Sequence, residues 1–95
     1  MCRNRYVMEE AFIMSWNEIA GNYNDYLDFW SKNLEEEDEF LRHKTKQVRI
    51  AALKGKIKIF DGERMIMVMD YIKVFESGKL AIWFYDGTEF ECDTE

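Results

Sequence analysis

The chain has no proline, two cysteines and five glycines among its 95 residues. This usage suits an intracellular helical domain better than a secreted one held together by disulfides. No apolar run approaches the length that spans a bilayer. The N-terminus carries two arginines, but Glu9 and Glu10 follow and no small-residue cleavage site does, so we expect no secretory signal. We therefore expect a cytoplasmic protein without a membrane partner.

Motifs for metal, phosphate and nucleophile chemistry are also missing. No C-x-x-C pair exists, and the potential zinc ligands Cys2, His43 and Cys92 each stand alone. We interpret Cys2 as a free thiol near a terminus and Cys92 as a small core residue. No glycine-rich phosphate loop is present. No base or arginine cluster that would activate a nucleophile lies beside any of the serines, Ser15, Ser31 and Ser77. We expect no catalytic residue, cofactor or metal site in this chain.

What is present is enough apolar material for one compact domain over residues 1–95. Hydrophobic residues make up 47% of the chain and aromatic residues 16%, which is inconsistent with disorder. At helical and strand spacing the aromatic side chains are expected to form core rather than a ligand pocket. We find no internal repeat and no linker rich in glycine, serine or proline.

Helical patterning covers about residues 8–54. An apolar stripe begins at Met8, is interrupted at Gly21 and continues to Leu34. Two helices meeting near Gly21, or one long helix kinked there, fit this pattern equally. A further helix is predicted to begin in the acidic cluster 35–39, whose carboxylates favour a helix N-terminus, and to end before Gly55.

A linking segment and a short helix come next. KIKIF at 56–60 fits either a short strand or a linker that docks Ile57 and Ile59. Asp61 is placed to cap a helix over about 62–69. The apolar face predicted for this helix consists of Met65, Ile66 and Met69.

Residues of about 71–92 predict a three-stranded antiparallel β-meander. Three-residue loops at 76–78 and 85–87, each ending in a left-handed glycine, keep one face of the sheet apolar. Two-residue turns would mix polar and apolar residues on both faces. The three-residue loops predict the pairs Val74–Leu80, Ile72–Ile82, Ile82–Phe90 and Leu80–Cys92. The predicted class is thus α+β, with N-terminal helices packed on an inner sheet face of Ile72, Val74, Leu80, Ile82 and Phe84.

Charge is distributed very unevenly along the chain. Residues 41–60 carry +7 and no acid, and since the whole chain has a net charge of −6, the remainder carries −13. The acidic cluster 35–39 lies directly before this basic stretch. A run of this kind is ordinarily a solvated face, and a docking surface for a basic partner is the sharper alternative.

The basic stretch gives the candidate site. Arg42, Lys46 and Arg49 fall at i, i+4 and i+7, and Lys54, Lys56 and Lys58 extend the patch beyond the helix. Contact with nucleic-acid phosphates is one interpretation. The other is that these cations balance neighbouring acids through intrahelical pairs, each worth a few tenths of a kcal/mol. No set of residues suited to reading base edges lies nearby.

Several segments resemble the C-terminal region of large serine recombinases of the resolvase and integrase type. They are CRNRYVMEEAF at the start, AFIMSWN at 11–17, RHKTKQ at 42–47, FDGERM at 60–65 and DYIKVFESGKLAIWFYDGTEFE at 70–91. The resemblance implies that Cys2 matches the last ligand of a zinc ribbon whose other ligands lie upstream. Zinc would then belong to the parent protein rather than to this chain.

The resemblance implies a non-catalytic fragment that supports DNA binding and subunit contacts during site-specific recombination. The catalytic domain, the central DNA-binding domain and a long heptad arm are absent from this sequence, so DNA affinity is expected to be weak. DNA and other recombinase subunits are the implied partners. Aromatic residues normally covered by an upstream domain would leave a fragment able to self-associate. The alternative is a free-standing acidic interaction protein encoded by a phage or mobile element.

Overall fold

In a computed structural model that describes residues 7–93, four helices precede a three-stranded antiparallel sheet. The helices are α1 (Val7–Gly21), α2 (Tyr23–Leu34), α3 (Glu39–Leu53) and α4 (Gly62–Val68). The strands are β1 (Met69–Val74), β2 (Lys79–Phe84) and β3 (Glu89–Asp93), in the order β1-β2-β3. The α+β prediction is confirmed, with the helices N-terminal and the strands C-terminal. No helix among the described residues is long and apolar enough to cross a membrane.

The junction at residues 21–22 separates two helices, which decides between the two alternatives. Asn22 occupies the N-cap position of α2 without capping it. Its side-chain amide instead donates to the backbone oxygen of Glu18 at 2.7 Å and to the Glu18 carboxylate at 3.1 Å. The Lys56 side chain crosses Gly21 so closely that a Cβ there would lie 2.5 Å from Lys56 Cε. The absence of a side chain at Gly21 thus leaves room for the Lys56 side chain to cross the junction.

Aspartates cap α3 and α4 at their N-termini. The Asp38 side chain accepts hydrogen bonds from the backbone N–H groups of Phe40 and Leu41, which satisfies two donors that an uncapped first turn leaves free. Asp61 does the same for Glu63 and Arg64, as predicted. At its other end α3 stops before Gly55, which adopts φ of +90°.

The register of the meander is as the three-residue loops predicted. The observed pairs include Val74–Leu80, Ile72–Ile82, Ile82–Phe90 and Leu80–Cys92. Gly78 and Gly87 have φ of 89° and 94°, a region that residues with a Cβ seldom adopt. The β1–β2 register shifts by one residue between Met69, which pairs with Phe84, and Tyr71, which pairs with Trp83.

The core lies between α1, α2, α3 and the inner face of β2. Within this core, Phe84 packs against two aromatic side chains of α1. The centroid of its ring lies 6.0 Å from that of Phe12 and 6.1 Å from that of Trp16. Trp30 from α2 and Val48 from α3 are fully buried beside this group. The large aromatic side chains therefore serve as packing, as their spacing indicated.

Three predicted inward positions are wrong. Val74 is 59% exposed because it ends β1, an edge strand of the sheet. Ile66 is 74% exposed, since α4 turns Val68 and Met65 towards the core instead. The segment 56–60 forms no strand; it docks Ile57 as a linker but leaves Ile59 78% exposed.

Cys92 packs against the core on β3, as predicted. It is also disulfide-bonded, which was not predicted. Cys2, expected to be a free thiol, lies outside the described residues, as does the zinc-ribbon junction assigned to it.

Candidate nucleic-acid interface

Helix α3 presents cations to solvent because its opposite side is committed to the core. Thr45, Val48, Ala51 and Ala52 are all buried. The helix is regular from Glu39 to Leu53, so the spacing that places Arg42, Lys46 and Arg49 on one face holds. These three residues span about 10 Å along the helix axis at 1.5 Å per residue. We call this row of three cations the α3 strip.

Arg42 is the member of the strip that engages the acidic cluster. Its Nη1 donates to the backbone oxygen of Glu36 at 2.6 Å, and its Nη2 lies 3.9 Å from the Glu39 carboxylate. Because Glu39 is largely exposed, this i, i+3 pair contributes at most a few tenths of a kcal/mol. Arg42 thus helps hold the 35–38 segment against the start of α3.

Lys46 and Arg49 have no such partner. Lys46 is exposed and Arg49 partly exposed, and neither has an ion pair with any acid within residues 7–93. The interpretation that intrahelical pairs neutralise the basic stretch therefore holds for Arg42 alone. Two cations are left on one helix face with their charge available to a partner.

Lys54 and Lys56 lie where α3 ends and the chain turns at Gly55. Lys54 is the C-cap residue and is exposed. Beyond the turn, Asn17 of α1 binds both backbone groups of Ile57: its Nδ2 donates to the Ile57 oxygen and its Oδ1 accepts from the Ile57 N–H, each at 2.8 Å. This double contact fixes the path of the segment that carries Lys56.

Two further cations have defined positions that the sequence did not reveal. Lys44 places its Nζ 4.3 Å from the centroid of the Tyr85 ring, a cation–π contact between α3 and the second hairpin loop. Arg64 donates through Nη1 to the backbone oxygen of Gly55 at 3.3 Å, and its guanidinium lies 5.9 Å from the Trp16 ring. The proximity of Arg64 to the α3 C-terminus depends on tertiary packing, so no local signal could have indicated it.

The three serines considered for nucleophilic chemistry lie in different parts of the fold. Ser15 is buried on α1 beside a shallow groove formed with Phe90 and Cys92, whereas Ser31 and Ser77 are exposed elsewhere. Within residues 7–93, no three His, Cys, Asp or Glu side chains converge on a point that could hold a metal ion.

One buried polar network joins the second hairpin loop to the helices. The Asp86 carboxylate accepts from Trp30 Nε1 at 2.8 Å and from the Thr88 N–H at 2.9 Å. Asn33 donates to the backbone oxygen of Asp86 at 2.9 Å. Burial, and then the charge of Asp86, raise the pKa of Tyr26 above its usual 10.0. The donors and acceptors named here form hydrogen bonds with one another, which is typical of a structural role.

No family model, curated protein or solved structure matches the chain. The likeness to serine recombinases therefore stays a prediction, based on the residues that suggested it. The structure contributes the placement of the cations, which is independent of that likeness.

Proposed function

We propose that this chain is a non-catalytic part of a site-specific DNA recombinase, in which the α3 strip contacts DNA phosphates and the domain assists subunit contacts. The observation that supports this is the pair of solvent-facing cations, Lys46 and Arg49, without an acidic partner among the described residues. Lys54 and Lys56 lie on the segment that follows the same helix.

The chemistry of such a contact is electrostatic and independent of base sequence. Each lysine or arginine that reaches a phosphate releases condensed counterions, which lowers the slope of log K against log salt by about 0.9 per contact. Engagement of Lys46, Arg49 and Lys54 would give a slope of about −2.7; Lys56 is not counted because its side chain lies across Gly21. The net charge of −6 opposes DNA at long range, so binding should be weak.

Titration of a short labelled DNA duplex, followed by fluorescence anisotropy at several salt concentrations, tests the proposal. Reversing both charges in Lys46→Glu with Arg49→Glu should weaken binding at least about tenfold and make the salt slope shallower by about 1.8. The control is Lys32→Glu with Lys73→Glu, which changes net charge equally at two exposed positions away from the strip. Equal weakening by both pairs of substitutions, or an affinity that does not depend on salt concentration, would rule out the proposed phosphate contact.

A free-standing acidic interaction module is the second candidate, and the acidic cluster favours it. Glu35, Glu36 and Glu37 are exposed, and their carboxylates form no ion pair with a cation of residues 7–93. Binding of a lysine-rich peptide that is lost in Glu35→Lys with Glu37→Lys, together with no measurable DNA binding, would favour this function over the first.

A further inference from the structure

Strand β3 ends the sheet, and within residues 7–93 no strand pairs with its outer edge. The hydrogen bond that closes the second hairpin runs from the Phe84 N–H to the Thr88 oxygen at 2.9 Å. Bonded pairs alternate along an antiparallel ladder, so every second residue counted from Thr88 is bonded to β2. The N–H and C=O groups of Glu89 and Glu91 therefore point away from β2, towards the place of a further strand.

The side chains of the same two glutamates give this edge a negative outer face. Glu89 is exposed and has no ion pair with a cation of residues 7–93. Glu91 lies 3.7 Å from the Nζ of Lys79, and because both side chains are about half exposed this pair is weak. Lys73 shares the outer face but lies on β1, with Ala81 of β2 between it and Glu91. The edge thus favours a strand with cations at alternate positions.

The inner side of the same edge borders a groove. Phe90 and Cys92 line it together with Ala11, Met14 and Ser15 of α1, and its volume is about 390 Å³. These two β3 residues alternate with the glutamates, so they face the opposite side of the sheet. A strand added at this edge would place every second side chain over the groove and the others beside the glutamates.

Cys92 indicates which segment occupies the edge. It is disulfide-bonded, and the other cysteine of the chain is Cys2. Residues 1–6 precede the part of the chain that the structure describes, so only their sequence is used. Cys2 lies five residues before Val7, where α1 begins, and five extended residues reach about 17 Å. Since Ala11, one helical turn beyond Val7, lines the same groove as Cys92, the β3 edge is within reach.

We propose that residues 2–5 bind along the β3 edge as a fourth, antiparallel strand, held by a disulfide between Cys2 and Cys92. Because Cys92 spends its backbone hydrogen bonds on β2, it faces the added strand in a non-hydrogen-bonded pair. The Cα atoms of such a pair lie about 4.5 Å apart, which is within the range that a disulfide spans.

Charge complementarity gives the same register independently of the cysteines. In the antiparallel pairing that joins Cys2 to Cys92, Arg3 lies opposite Glu91 and Arg5 lies opposite Glu89. Both arginines then face the outer side of the sheet with the two glutamates.

The parallel direction does not give this match. With the two cysteines joined, it would carry the segment past the end of β3 and leave Glu89 without a cation. The alternation of the segment, the charges of the edge and the disulfide of Cys92 thus agree on one arrangement.

The disulfide forms by exchange with a second disulfide, for which oxidised glutathione serves. The two thiols give up two protons and two electrons, the glutathione disulfide takes up both, and two glutathione thiols are released. A sulfur in this bond is not available as a thiolate ligand, so the proposal and the zinc-ribbon junction implied for Cys2 exclude each other. The α3 strip takes no part, so the proposal does not rest on the DNA contact.

Amide hydrogen exchange tests the added strand. In the oxidised chain the N–H groups of Glu89 and Glu91 should exchange at least about tenfold more slowly than after reduction with dithiothreitol, because each donates to the added strand. The Phe90 N–H, which is bonded to β2 in both states, is the comparison and should change less. Equal exchange of Glu89 and Glu91 in the two states would overturn the proposal. So would a non-reduced tryptic digest in which the peptides of Cys2 and Cys92 are not linked.

A charge swap tests the register through the equilibrium between the dithiol and the disulfide in glutathione buffers. Arg5→Glu should lower the equilibrium constant for disulfide formation about two- to fivefold, and adding Glu89→Lys should restore it. Lys58→Glu changes the net charge equally at an exposed position and should leave the constant unchanged. If Arg5→Glu also leaves it unchanged, this arrangement is wrong. DNA titrations of the oxidised and reduced chain should agree, so either proposal can fail without the other.

Discussion

The indole N–H of Trp30 donates to the carboxylate of Asp86 at 2.8 Å, with both side chains buried although 56 positions separate them in the chain. Asp86 belongs to the hairpin loop between β2 and β3, and its other carboxylate oxygen closes that loop by accepting from the Thr88 N–H. One side chain thus shapes the turn and anchors it to α2. This anchor couples the sheet to the helical layer that carries the α3 strip.

Removing the Asp86 carboxylate should lower the free energy of unfolding. In Asp86→Ala the Trp30 N–H and the Thr88 N–H both lose their acceptor, at about 1–3 kcal/mol for each buried donor left unpaired. We expect the free energy of unfolding to fall by about 3 kcal/mol, measured by urea denaturation. Asp70→Ala, at an exposed position, is the control and should change stability by less than about 0.5 kcal/mol.

Asp86→Asn sharpens this test. Its amide oxygen can keep one of the two hydrogen bonds, but its NH₂ group cannot accept the other. It should therefore lie between the wild type and Asp86→Ala in stability. Equal stability of all three proteins would show that the Trp30 contact does not hold the loop.

Alkaline pH should lower the stability of the fold because it ionises Tyr26. Its pKa is raised in the folded protein by burial first and by the charge of Asp86 second. A folded-state pKa above the unfolded value means that the folded chain holds this proton more tightly. The resulting stability is fully present below pH 10.0 and is lost as pH rises through the folded pKa.

Urea denaturation between neutral pH and about pH 11 measures this effect. Tyr26→Phe should lose less stability over the alkaline range than the wild type, because Phe has no proton to release. Tyr71→Phe, at an exposed position on β1, leaves Tyr26 in place and should follow the wild-type curve. An identical alkaline slope in Tyr26→Phe and the wild type would refute the assignment.

The register of the meander could be predicted because two local rules agreed. Strand alternation with period two and a glycine at the end of each loop allow only one pairing that keeps Ile72, Ile82 and Phe90 on the same face. The exposure of Val74 could not be predicted in this way, since it depends on where the helices stop covering the sheet.

The candidate site, like the sheet, could be predicted from the sequence only in part. The common face of Arg42, Lys46 and Arg49 follows from the helical repeat alone. Whether each cation meets an acid depends on side-chain geometry, which is why Arg42 is paired while Lys46 is not. The dual role of Asp86 was hidden because Asp-Gly is an ordinary turn signal in sequence.

Substitution of Gly87 by alanine should cost more stability than the same substitution at Gly62. Its φ of 94° is strained for any residue with a Cβ, whatever the space around it. Gly87→Ala should therefore lower the free energy of unfolding by about 1 kcal/mol or more. Gly62→Ala is the control, because an added Cβ there meets only Phe60 at an ordinary 3.7 Å. A neutral Gly87→Ala would contradict the loop conformation.

Asn17 provides the last test, because it binds both backbone groups of Ile57 and so holds the segment after α3. In Asn17→Asp, one carboxylate oxygen can still accept from the Ile57 N–H, but the other replaces a donor and faces the Ile57 carbonyl oxygen. Loss of that bond and repulsion between two acceptors should cost about 1–3 kcal/mol. Asn24→Asp adds the same charge at an exposed position and should be nearly neutral.

Amide hydrogen exchange separates a local effect from a general loss of stability. The Ile57 N–H should exchange faster in Asn17→Asp than the stability change alone requires, because the 56–60 segment is freed from α1. Exchange in the centre of α3, at Val48, should follow the global stability instead. If Ile57 and Val48 change by the same factor, Asn17 contributes to stability but does not by itself fix the position of Lys56.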